Sequence, residues 1–332
     1  MPAILQSRRA VGVWLLAVAA IILAMVAIGG LTRLTGSGLS ITEWDPIMGA
    51  IPPMSDGAWA QAFAKYRHIP QYRLENAHMD LEGFKAIFWW EWTHRLLGRL
   101  IGVVFFVPFV VFAWSGAIRR ADWPRMLVLF ALGGLQGFVG WWMVQSGLET
   151  RVSVSQYRLA IHLGVAVILL GAILWTALEY LRGPAKGGKG GGLALVALVY
   201  LQMLLGALVA GLHGGLIYNT WPSMDGRVFP ELSFTWTSFF EDPGLAQFDH
   251  RLGAYAVLAL GLWTSWRVRR LAAAQAVAGL VLVQVALGIA TLLAQAPIGM
   301  AAAHQLVAAL LFCASVWQAY EIRRSAPDPG RR

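Results

Sequence analysis

One cysteine, Cys313, stands in 332 residues, and it lies inside an apolar stretch. That excludes an intramolecular disulfide and leaves no thiolate metal site to propose. Charge is as scarce: 13% of residues are Asp, Glu, Lys or Arg, against about 25% in soluble domains. With 58% apolar residues and a mean hydropathy of +0.61, the chain is not an ordinary soluble domain, and an all-α polytopic membrane protein is expected. Acidic residues are the rarer sign, 17 against 26 Lys and Arg, for a net charge of +9. The basic residues fall in short segments between apolar spans, so they set orientation and do not point to nucleic acid.

About 20 apolar residues cross a bilayer core of roughly 30 Å. Eight stretches qualify: 11–31, 94–114, 126–145, 159–180, 193–212, 250–266, 271–294 and 300–321. The even-numbered ones are expected to start earlier, as helices rising above the membrane; 84–93 and 153–160 are still helix-compatible. The first span follows Arg8 and Arg9, and its apolar run exceeds the about 7–15 residues of a secretory signal core. A retained helix is expected there. Arg119, Arg120, Arg125, Arg182, Lys186, Lys189, Arg267, Arg269, Arg270, Arg323, Arg324, Arg331 and Arg332 fall on the side of Arg8 and Arg9, marking it cytoplasmic with both termini. Two longer loops, 32–83 and 213–249, then face outward; they are rich in Pro, Trp and Gly and are expected to carry short helices. Trp89, Trp90, Trp92, Trp141 and Trp142 are placed in the outer aromatic belt.

Residues 183–192 read Gly-Pro-Ala-Lys-Gly-Gly-Lys-Gly-Gly-Gly, a flexible basic linker. Gly183 to Lys189 matches the opening of a phosphate-binding loop, but Gly190 stands where Ser or Thr is needed and no strand precedes it. A nucleotide site is rejected. The linker divides the chain into an N-terminal half, 1–182, and a C-terminal half, 193–332, each with four spans. His94-Arg95-Leu96 is matched by His250-Arg251-Leu252, and Gln136/Gly140 in the third span by Gln284/Gly288 in the seventh. Two pseudo-repeated four-helix bundles are expected, related by an axis along the membrane normal. Gly133, Gly137 and Gly140 are expected to let helices approach closely.

His94, His162, His250 and His304 stand at the outer ends of the even-numbered spans. A single buried imidazole is commonly a hydrogen-bonded packing residue, but four at repeat-related places in apolar helices point to ligands. Two imidazoles per half, with no cysteine, suit a haem held from both faces better than zinc, which takes three or four protein ligands. Arg95 and Arg251, one residue on, are candidates for propionate contacts; headgroup contact explains them as well. His68, His78 and His213 are read as solvated.

One difference separates the halves: Glu91 lies three residues before His94, whereas Gln247 lies three before His250. Only the first half has an ionisable group there, able to move a proton or steady a developing cation. Glu91 is therefore the candidate catalytic residue, with an ion pair to Arg95 as its structural alternative.

These residues resemble the haem A synthase family, in its cysteine-free proteobacterial and mitochondrial type. The resemblance runs through Glu91–Arg95, His162, His250-Arg251-Leu252, His304, the Gly29–Ser40 run and Asn219-Thr220-Trp221-Pro222-Ser223-Met224. It implies oxidation of a ring methyl of haem O to a formyl group, giving haem A for terminal oxidases, in the bacterial inner membrane. It also implies a resident haem b on His250 and His304, the substrate haem near His94 and His162, and haem O synthase and oxidase assembly factors as partners. A thiol relay is excluded by the missing cysteines, and the electron donor stays open. A diheme electron carrier and a haem transporter or chaperone are the competing readings.

Overall fold

The computed structural model describes residues 2–185, 192–229 and 235–325. Most of the expected linker, 186–191, and the tail carrying Arg331 and Arg332 lie outside the described residues. Long helices dominate: α1 Pro2–Leu34, α2 Leu81–Trp114, α3 Trp123–Leu148, α4 Gln156–Arg182, α5 Gly192–Gly211, α6 Pro243–Arg267, α7 Ala272–Leu293 and α8 Ile298–Ser325. Among the described residues there is no named strand. Seven of these helices are long and apolar enough to cross a membrane. α6 falls short of that composition because Asp249, His250, Arg251 and Arg267 interrupt its apolar face.

α2 and α6 start well before their apolar stretches, as expected, whereas α4 starts only at Gln156, with 153–155 outside the helix, and α8 at Ile298. Asp80 caps α2, accepting from the Gly83 N–H at 2.8 Å, so the helix starts at Leu81, 13 residues or more than three turns before His94. Pro243 opens α6, where its missing N–H costs nothing, and Asp242 caps it by accepting from Leu245 N at 2.8 Å. Short helices do occupy the two long loops, at Asp56–Tyr66, Pro70–Leu74 and Ser238–Glu241.

α1, α4, α5 and α8 form the centre: α1 packs on α4 and α8, α5 on α4 and α8, and α4 on α8. α2 and α3 lean on one side of this core, against α1 and α4; α6 and α7 lean on the other, against α5 and α8. Val11, Leu15 and Val18 of α1 meet Phe105 and Phe109 of α2 and Leu170 and Ile173 of α4. Leu195 and Val199 of α5 meet Val277 of α7 and Phe312 and Val316 of α8. Since lipid is as apolar as these side chains, the gain lies in close packing and in polar ties between helices. Arg182 of α4 pairs with Glu321 of α8, and Tyr320 donates to Leu178 O at 3.1 Å.

The glycines of α3 behave differently from expectation. A Cβ added at Gly133 or Gly137 would meet nothing within 4 Å. They face open space and bring no helix closer. Gly140 is tight, but against an imidazole and not a neighbouring backbone.

Candidate functional site

Each of the four histidines lies on one helix and rests against a glycine of the helix before it. A Cβ on Gly29 would stand 2.8 Å from His94 Cε1, one on Gly140 2.9 Å from His162 Cε1, one on Gly206 3.1 Å from His250 Cε1, and one on Gly288 2.8 Å from His304 Cε1. Any larger residue would push the ring away. His250 and His304 face each other with ring centres 6.4 Å apart and planes at 76°. His162 is close enough to His94 for their charges to interact.

The His250/His304 pair fits a metal held between two imidazoles. Two in-line metal–nitrogen bonds of about 2 Å each place the ring centres roughly 6 Å apart. Among the described residues no group of three or more His, Cys, Asp or Glu is placed to hold a metal ion. A bare zinc site is thus not formed, whereas a macrocycle that supplies the other four ligands needs only the two rings. Buried atoms without partners gather here too: Nδ1 of His94 and of His304, and Oε1 of Gln136, Gln202 and Gln284. Left unpaired in an apolar bundle, such atoms are costly, which is what a site completed by a bound group looks like.

Near each pair a long loop is tied down by the residues flanking the histidine. Glu91, 2% exposed, accepts from Ser40 Oγ at 2.7 Å and Ile41 N at 2.8 Å, and from Arg95 Nη2 at 2.6 Å and Nε at 3.0 Å. Arg95 also donates to the carbonyls of Ile41 and Glu43, at 2.7 and 2.9 Å. In the other half Gln247 donates to Tyr218 O at 3.1 Å, and Arg251 donates to Tyr218 O at 2.9 Å and Ser223 O at 3.3 Å. The same i, i+4 pair thus grips residues 40–43 in one half and 218–223 in the other. The gripped loops are stiffened from within. Thr35 and Ser37 share a 2.6 Å hydroxyl bond, and Asn219 spans Gly215 O and Leu292 O at 2.9 and 3.0 Å. Arg251 Nε stays buried and unpaired, so Arg251 keeps a donor for an anionic group that Arg95, with Nε on Glu91, has already used.

Two groups escaped the sequence reading. Gln202 lies four residues before Gly206 and places its amide nitrogen 3.0 Å from His250 Nδ1. It completes a third copy of the Gln-x-x-x-Gly pattern read at Gln136 and Gln284; searching the other odd-numbered spans for that pattern finds it. Arg33 of α1 donates to Ala210 O at 2.6 Å and meets His213 Nε2 at 3.3 Å, tying the outer ends of α1 and α5. His213 is exposed as expected, but it has a partner.

Residues 12–316 match the COX15-CtaA family, described as cytochrome oxidase assembly protein. The chain is 48% identical over 329 residues to a protein named Heme A synthase from Parvibaculum lavamentivorans, covering 96% of each. It is 49% identical to one of the same name from Maricaulis maris, covering 96% of this chain and 97% of that one. Another from Caulobacter vibrioides is 47% identical across 98% of this chain and all of its own length. On that near full-length likeness, this chain belongs to the COX15-CtaA family of cytochrome oxidase assembly proteins.

Proposed function

We propose that this protein is a haem A synthase, a membrane oxidoreductase that converts the ring methyl of haem O to the formyl group of haem A. The observation that carries the reading is the full-length likeness to proteins named heme A synthase. The paired imidazoles in both halves agree with it, since such an enzyme must grip a haem. The substrate haem is assigned to His94 and His162, and a resident haem b to His250 and His304. When bound, that haem b supplies one-electron transfer toward the substrate half.

We assign eight spans, counting α6, whose His250 and Arg251 belong to the site. The helix neighbours in residues 1–182 repeat in 193–332: α1 with α2 and α4, α5 with α6 and α8. This supports two pseudo-repeated four-helix bundles. The basic residues between spans favour cytoplasmic termini in the bacterial inner membrane, with the histidine sites toward the outer side. Haem O synthase and oxidase assembly factors are the proposed partners.

Glu91 is the proposed catalytic residue, because it is the ionisable group that Gln247 replaces in the other half. It holds the site's loop and keeps a carboxylate one turn from His94, where it can stabilise positive charge or take a proton as the methyl passes through a hydroxymethyl stage. The test is haem extraction and mass analysis from cells with and without the chain. Haem A should appear only with it. Unaltered haem O in both would refute the reading in favour of a carrier or transporter.

A further inference from the structure

The two halves differ in the space between their last two helices. Between α3 and α4 runs an apolar groove of about 430 Å³, lined by Val128, Leu129 and Leu132 of α3 and by Ala172, Trp175 and Thr176 of α4. At its far end Arg125 pairs with Glu179, which also accepts from Trp175 Nε1 at 3.1 Å. Its near end leads toward His162. Leu132 lies eight residues before Gly140, the glycine that cradles the His162 ring, or about 12 Å along the helix. Between them, a Cβ on Gly133 or Gly137 would meet nothing within 4 Å. With Gly140 these two stand at i, i+4 and i+7, so they share its face. An unfilled track thus joins the groove to the imidazole.

α7 and α8 keep the same frame but fill the track. Trp317 donates to Glu321 at 3.3 Å as Trp175 does to Glu179, and each tryptophan stands 13 residues after a histidine, His304 or His162. Counted from Gln136 and Gln284, Gly133 and Gly137 become Val281 and Val285; counted from the histidines, Thr176 becomes Gln318. Val281 and Gln318 are fully buried. Val281 packs in one cluster with Val277, Phe312 and Val316, which closes α7 onto α8.

Haem O differs from haem b by a long apolar isoprenoid tail on the ring edge. We propose that the α3–α4 groove seats this tail, and that the seated tail fixes which ring methyl is presented for oxidation. This rests on the reading of His94 and His162 as the substrate site. The tail fits better than membrane lipid for two reasons. The track leads from the groove to His162, and the matching space is filled in the half assigned to haem b, which has no tail to seat. Because lipid is as apolar as the groove, the seat adds little affinity. Its gain is orientation. Two axial imidazoles hold a haem disc by its iron but leave it free to turn about the line joining them. A tail lying between α3 and α4 stops that turning, and consistent placement of a reacting group acts on the rate more than on binding.

The test uses the full-length chain in cells that make haem O and lack their own copy. Ala172→Phe and Val128→Phe fill the groove from its two walls, and Leu127→Phe adds the same bulk on α3 outside it. Haem is extracted from membranes with matched amounts of protein and identified by mass. Both groove variants should form haem A roughly 10–100-fold more slowly, the scale of a misplaced reacting group. Haem O should stay bound to the purified variants, and the resident low-spin spectrum should not change. Leu127→Phe should match the parent. If Ala172→Phe loses the resident spectrum, Val128→Phe, at a position 58% exposed, decides alone. Parent-like rates in the groove variants would mean that the groove holds lipid only, and would overturn the proposal; so would Leu127→Phe slowing as much as they do. A parent that forms no haem A would instead refute the haem A synthase reading itself.

Discussion

Glu91 and Gln247 hold the same place before a histidine, and both grip an arginine four residues on. Only Glu91 can lose or take a proton. Its four hydrogen bonds mean that Glu91→Gln keeps most of the grip but sets an amide N–H₂ against at least one donor. A cost of about 1–3 kcal/mol is expected, visible as a lowered Tm. If Glu91 also acts in the chemistry, the variant keeps its resident haem spectrum while haem A falls and haem O or its hydroxylated form accumulates. Normal haem A formation in cells lacking their own copy would leave Glu91 a structural residue. At the resident site, His250→Ala and His304→Ala should each abolish the low-spin spectrum, and a full spectrum in both would refute that assignment. The ligand candidates were legible in the sequence because an imidazole in an apolar span stands out. The hydrogen bonds of Glu91 to Ser40 and Ile41 were not, since they join residues about 50 positions apart through a loop of irregular course.

Among the elements, the odd-numbered helices carry the cradling glycines and the even-numbered ones the histidines. Ala favours a helix over Gly by about 1 kcal/mol, so a Gly→Ala change in these helices should leave folding intact. What it does to haem depends on what the new methyl meets. Gly288→Ala puts a Cβ 2.8 Å from His304 Cε1 and should displace the ring, weakening or shifting the low-spin spectrum. Gly206→Ala, at 3.1 Å from His250, should do so less. Gly133→Ala and Gly137→Ala meet nothing within 4 Å and should change neither spectrum nor Tm for the worse. Equal effects from all four, read by absorbance and circular dichroism, would remove the cradle role. The glycines of α3 were legible as small residues in a span, but their partners were not. Helical spacing says which residues share a face, and only the packing says whether lipid, backbone or an imidazole covers that face.

At the scale of the whole molecule, the halves are joined at both ends. Arg182 and Glu321 pair at the end where α4 and α8 finish; Arg33 and His213 meet at the other. His213 is exposed overall, yet partial desolvation of its ring, and then the Arg33 cation, hold its pKa below the ordinary value, against an upward pull from Glu75. The unfolded chain therefore takes up this proton first as pH falls. The stability that neutral His213 contributes is complete above pH ~6.5 and is lost as pH drops through the lowered folded value. The parent should lose more Tm than His213→Asn between neutral pH and pH ~5; equal losses would refute the coupling.

The two halves also differ in what they should carry when isolated. Their helix neighbours match and each carries two of the glycine-cradled histidines, so on the proposed ligation, geometry alone would give two equivalent haem sites. Beside the histidines, one difference breaks that equivalence: Glu91 stands where the other half has Gln247. On the proposed assignment one half acts on a haem and lets it go, while the other keeps its own. Purified protein should hold a constant haem b beside less than one haem O or haem A per chain, varying between preparations. Added haem O should exchange with the variable fraction and leave haem b untouched, as read by extraction and mass analysis. Two haem b per chain, neither exchanging, would instead make the molecule a diheme electron carrier and remove the substrate role from His94 and His162.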